Sequence, residues 1–170
     1  MIAHQFVMLA RYNAWANRRL YDAAAAMPDE AYRRDAGAFF GSMHRTLNHI
    51  LVADRIWMNR FTGSGPTHAK LDAVPCDAFG ELRREREAMD DRILAWVRLL
   101  DDAALSADFT YTPVTTPDPV TQRLAPALTH LFNHHTHHRG QAHVILTSQG
   151  FEAPALDLIY FSRDAQRATA

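Results

Sequence analysis

The chain has 170 residues, 48% of them hydrophobic and 22% charged, with a formal net charge of −1. That is enough for one domain with a sizeable core, spanning residues 1–170, and the charge balance gives no footing for a nucleic-acid partner. No apolar run approaches a membrane span, the start Met1-Ile2-Ala3-His4-Gln5 lacks a signal-peptide pattern, and a single cysteine, Cys76, excludes an internal disulfide and fits a reducing cytoplasm.

In chain order, the first predicted helix runs from about Ile2 to Met27 and stops at Pro28. Its apolar stripe is Ile2, Phe6, Leu9, Ala16 and Leu20, interrupted by Asn13, with Asn17 one turn on. The second begins near Ser42, an expected N-cap, and ends near Phe61 before Gly63-Ser64-Gly65-Pro66. A loop of roughly 15 residues follows, long enough to cross the bundle rather than turn straight back. Cys76 closes that loop just before a helix start, where a helix dipole lowers a thiol pKa; an ordinary loop thiol is the favoured reading. The third helix runs from after Asp77 to about Leu100, with Arg86 interrupting the stripe Phe79, Leu82, Met89, Ile93, Trp96 and Leu100. Phe109-Thr110-Tyr111-Thr112 reads as a short extended piece among prolines. The fourth helix spans about Thr121 to Gln149 and stops at Gly150, and a short helical segment follows Pro154. The pattern predicts an all-α fold, a four-helix bundle with long loops and a short C-terminal helical segment.

Each predicted helix carries polar side chains on its apolar stripe: Asn13, His49, Arg86, and His134, His135 and His138. Buried polar groups without partners cost about 1–3 kcal/mol each. One or more per helix therefore points to a shared polar site inside the bundle, where bundles build metal and cofactor sites. Six of the ten histidines fall between Thr129 and His143. Residues four apart on a helix are neighbours, so His134 and His138 can grip one ion from one face, with His49 opposite. Three neutral imidazoles leave a metal its full charge and an open position, as in catalytic sites. On the helical wheel His135 lies nearer the apolar centre than His134, so 135/138 and 134/138 both remain open; His137 points furthest away. His130 and Asp54 are available fourth ligands by residue type. No Glu-x-x-His occurs, so the di-iron bundle pattern is missing.

Three stretches resemble the DinB superfamily of four-helix-bundle metalloproteins: Tyr12-Asn13-Ala14-Trp15-Ala16-Asn17 in the first helix, Thr46-Leu47-Asn48-His49 through Trp57 in the second, and His130-Leu131-Phe132-Asn133-His134 with His138-Arg139-Gly140-Gln141 in the fourth. The resemblance covers almost the whole chain. It implies one divalent metal ion, zinc or nickel, held by His49, His134 and His138, which resolves the choice between 134 and 135. It also implies a homodimer. Some relatives are thiol transferases using bacillithiol or mycothiol, and one branch isomerises maleylpyruvate with mycothiol.

The expectation is a metal-dependent enzyme acting on a small molecule by thiol transfer or hydrolysis, with a low-molecular-weight thiol as co-substrate in the first case. Asn13, Asn17, Arg86 and Tyr160 are candidate substrate or supporting contacts. The competing class is a non-enzymatic metal-binding or stress-response protein, with a closed site and no adjoining pocket. For the homodimer, Trp15 lies off its helix's stripe; the alternative is that the segment around Leu156 and Ile159 covers it.

Overall fold

Four long helices carry the core: α1 (Ile2–Ala25), α3 (Met43–Thr62), α4 (Phe79–Val97) and α6 (Leu124–Ser148). The computed structural model describes residues 2–167. Between the long helices lie a five-residue helix α2 (Asp29–Arg33), a five-residue helix α5 (Asp102–Ser106) and an antiparallel hairpin, β1 (Asp108–Tyr111) with β2 (Val120–Arg123). Helix α7 (Leu158–Arg167) closes the described chain.

Local chemistry sets the ends of the long helices. The Ser42 side chain accepts the Arg45 backbone N–H, and Gly63 takes a left-handed conformation (φ 67°) that lets its N–H reach the Asn59 carbonyl. Pro126 sits in the first turn of α6, where a missing N–H costs nothing. Residues 121–123, expected to be helical, instead pair with β1, and α6 begins only at Leu124, whose N–H donates to Ala107 O.

Each long helix packs on two others: α1 on α4 and α6, and α3 on α4 and α6, leaving α1 diagonal to α3. Contact pairs give the directions. Phe6 meets Phe132 and Asn13 meets Arg139, so α1 and α6 run parallel. Asp54 meets Arg86 and Phe61 meets Trp96, so α3 and α4 also run parallel. Trp57 meets His130 and His49 meets His138, so α3 opposes α6. The order is up, down, down, up. Two parallel neighbours in succession require residues 63–78 to return along the bundle, as the length of that loop allows.

The returning loop is pinned to α3 as it goes. Gly65 O accepts from Asn59, Leu71 O from His49, and Cys76 O from Asn48 Nδ2 at 3.0 Å, while Asn48 Oδ1 accepts the Cys76 N–H at 3.1 Å. Cys76 is buried by this anchoring, and burial pushes its thiol pKa up. It behaves as a packed residue with no sign of activation.

Helix α7 lies against α1 and covers Trp15. Phe161 meets the Trp15 ring edge-on at 5.9 Å, and the Trp15 indole N–H donates to Asp164 at 3.2 Å. Trp57 and Trp96 both stack with Phe61, so no tryptophan is left facing outward without cover.

Candidate metal centre

His49 comes from the middle of α3, and His134 and His138 come from adjacent turns of α6, four residues apart on one side. Their Nε2 atoms converge: His49 to His134 at 3.2 Å, His49 to His138 at 3.1 Å, and His134 to His138 at 3.1 Å. They are the one group of three or more histidine, cysteine or carboxylate side chains, among the described residues, with donor atoms close enough to share an ion. Bonds of about 2.1 Å to a common ion put nitrogens about 3.0–3.4 Å apart for angles between octahedral and tetrahedral, and the observed spacings fall in that range.

The outer nitrogens fix the tautomers. His49 Nδ1 lies 2.8 Å from the Leu71 carbonyl, which can only accept, so the proton sits on Nδ1 and Nε2 presents a lone pair. His138 Nδ1 lies 2.7 Å from Gln141 Oε1, which gives it the same tautomer. Two lone pairs therefore face each other at 3.1 Å. A neutral His134 has one proton at most to offer and cannot lie between both, whereas a shared cation satisfies all three nitrogens.

Burial holds the three imidazoles neutral. It lowers His134 to about 3 and His138 to about 4, with the neighbouring histidines adding to the drop for His134, and it lowers His49 as well. Phe40 lies flat on His49, ring centroids 3.8 Å apart, and shields it from water on one side. A folded pKa below the usual histidine value means that the unfolded chain takes up protons first as pH falls. The metal-free protein is thus expected to keep its full stability above about pH 6.5 and to lose part of it as pH falls toward 4. Thermal melts of chelated protein between pH 7 and pH 4 check this, and a flat profile contradicts it.

On one side, His49 and His134 line a cleft of about 280 Å³, with Ile56, Trp57, Arg60, His130 and Leu71, and with Tyr111 at the end of β1 and Pro113, Val114 and Thr115 from the hairpin loop. Two larger hollows, of about 560 and 650 Å³, share no lining residue with the three histidines. His130 is in the cleft, its ring centroid 5.8 Å from that of His134, but outside the converging group.

His135 faces elsewhere. It is fully buried, and its Nε2–H donates to Asp54 at 2.6 Å. The other Asp54 oxygen pairs with Arg86 at 2.5 Å, Arg86 pairs with Asp90 at 3.0 Å, and Asp90 accepts from Asn13 and Asn17. Arg139 donates to both asparagine oxygens, which returns the chain of contacts to α6. Burial alone pushes the Asp54 carboxyl up, but His135 and Arg86 outweigh it and bring it to about 2.

The polar residues on the four stripes thus divide into two structures rather than one shared site. The histidine triad joins α3 to α6, and a charge-balanced circuit ties all four long helices together behind it. Asn13, Asn17 and Arg86 belong to the circuit and do not line the cleft, and Asp54 is committed there rather than to the triad. Tyr160 is 43% exposed on α7, where its ring meets Arg163, and it is not among the residues that line the cleft. Sequence reasoning missed Phe40, Leu71 and Arg60; only the loop paths and the hairpin reveal them.

A model described as the DinB family matches residues 1–169. Protein DinB of Bacillus subtilis (strain 168) is 26% identical over 156 residues, which covers 88% of each chain. The crystal structure of a DinB-like protein from Bacillus cereus ATCC 10987 has the same fold, with a TM-score of 0.65 at 16% identity over 85% of this chain and 90% of that one.

Proposed function

We propose that this chain, which belongs to the DinB family, holds one divalent ion on His49, His134 and His138 and is a metal-dependent enzyme for a small molecule. The carrying observation is the convergence of the His49, His134 and His138 Nε2 atoms to within 3.2 Å of one another, an arrangement that a shared cation satisfies. Zinc and nickel both suit three imidazoles.

The enzymatic part of the reading is supported by what the triad lacks. Asp54 is taken by Arg86 and His135, and His130 stands outside the group, so no fourth protein ligand closes the site among the described residues. Instead the triad borders the cleft. The ion would supply Lewis acidity, keeping a thiol or a water deprotonated near neutral pH. The protein's part is to orient His49 and His138 through Leu71 and Gln141, to hold the three imidazoles neutral by burial, to exclude water with Phe40, and to seat the substrate under the hairpin. Thiol transfer is the favoured route, with hydrolysis the alternative. Titrating the cobalt-substituted protein with low-molecular-weight thiols is expected to raise a sulfur-to-cobalt charge-transfer band; silence across a thiol panel turns the reading toward hydrolysis.

A cytoplasmic homodimer belongs to the same proposal. It rests on the family resemblance and on the single buried cysteine, and no longer on Trp15, which α7 covers. Sedimentation at micromolar concentration is expected to give twice the 19.2 kDa chain mass, and a clean monomer overturns it.

A further inference from the structure

The cleft beside the triad holds one formal charge, and no acid balances it. Arg60 lies on the same stripe of α3 as His49: positions 49, 53, 56 and 60 fall within about 60° of one another, and all four line the cleft. The backbone rise from His49 to Arg60 is about 16 Å, so the two residues enter the cleft from different levels of α3. The Arg60 guanidinium carbon sits 4.8 Å from the Trp57 ring and 4.9 Å from the Tyr111 ring, in the notch the two rings make. One terminal nitrogen donates to Thr112 O at 2.8 Å. The Nε and the other terminal nitrogen have no acceptor among the described residues, and no Asp or Glu lines the cleft.

A half-buried cation clamped in one orientation without a counter-charge costs free energy that an incoming anion recovers. Its spare N–H donors suit the oxygens of a carboxylate. Apolar walls are supplied by Ile56, Leu71, Pro113 and Val114.

We infer that Arg60 is the anion-binding end of the cleft, and that the ligand is a small carboxylate-terminated molecule with an apolar body whose reacting group reaches the histidine triad. This rests on the metal-centred reading above. The shared chemistry is the terminal carboxylate, whether the thiol or its electrophilic partner carries it.

The test uses the cobalt-loaded full chain with a matched pair, 8-mercaptooctanoate and 8-mercaptooctanol, read by the charge-transfer band. The carboxylate is expected to bind about tenfold or more tightly than the alcohol. Arg60→Met is expected to erase that preference while leaving cobalt content and alcohol binding unchanged, and Arg60→Lys to keep part of it. Equal binding of the pair, or a preference that survives Arg60→Met, overturns the inference. If neither thiol perturbs the cobalt, the thiol-transfer reading fails separately. Octanoate then decides the anion site through the Arg60 Nε–H resonance: a saturable shift supports it, and no shift overturns it.

Discussion

Alanine at His138 or at His134 is expected to abolish stoichiometric metal binding, whereas alanine at His135 is expected to leave it intact. The three residues are near neighbours on α6, so composition and local charge barely change among the variants; only the direction of the imidazole does. His134 and His138 bring Nε2 within 3.2 Å of His49 Nε2, while His135 gives its Nε2–H to Asp54. Losing a partner that merely orients a ligand costs about 10–100-fold in metal affinity. Loss of a ligand itself should exceed about a hundredfold, enough to strip the ion during purification with dilute chelator. The metal also stabilises the fold by mass action, by about 2.7 kcal/mol when free metal stands at about a hundred times its dissociation constant. Chelation should therefore lower the melting temperature of the wild type by about 5–10 °C and that of the His138→Ala variant hardly at all. Metal analysis and melts with and without chelator read both effects. Stoichiometric metal surviving both His134→Ala and His138→Ala removes the ligand assignment.

The His134/His135 contrast marks where the sequence stops being informative. The four long helices were legible because each carries an apolar stripe, and three of them also a chemical start or stop: Pro28 after α1, Ser42 and Gly63 around α3, Gly150 after α6. Helices α2 and α5 were not, because five residues make less than two turns and leave no period to read. Val120 to Arg123 suits a helix or a strand, and pairing with Asp108 to Tyr111 decides it, a contact between distant residues. The wheel favoured His135 because it does lie nearer the core. Burial alone does not tell a ligand from a structural histidine, and the distinction depends on whether Asp54 or His49 stands opposite. The i,i+4 spacing made His134 a candidate, and only the family resemblance chose it over His135 in advance. Likewise, Asn13, Asn17 and Arg86 were visible as polar residues on apolar stripes, but that they close on Asp54, Asp90 and Arg139 depends on the diagonal placement of α1 and α3.

That circuit carries the second large expected effect. Asp54→Ala should destabilise the protein by about 3–5 kcal/mol at neutral pH, lowering its melting temperature by about 6–20 °C. The substitution leaves Arg86, 2% exposed, with Asp90 as its one carboxylate, and leaves the buried His135 Nε2–H without its acceptor. Removing the cation instead gives a different pH signature. In Arg86→Met, Asp54 and Asp90 remain buried without the guanidinium between them, and the cheapest remedy is for one to hold a proton. Its folded pKa then rises above the unfolded value, so that contribution to stability is present at low pH and is lost as pH rises through the raised pKa. The wild-type Asp54, held at about 2, behaves oppositely: its contribution is present above the ordinary carboxylate pKa and lost as pH falls toward 2. The deficit of Arg86→Met relative to wild type should therefore be smaller at pH 5 than at pH 8. The double variant Asp54→Ala/Arg86→Met should cost less than the sum of the two, because neither charge is then left facing an empty place. Urea denaturation of metal-loaded protein at both pH values measures all of this. Additive single costs below about 1 kcal/mol would show that the circuit is not what locks the four helices in place behind the triad.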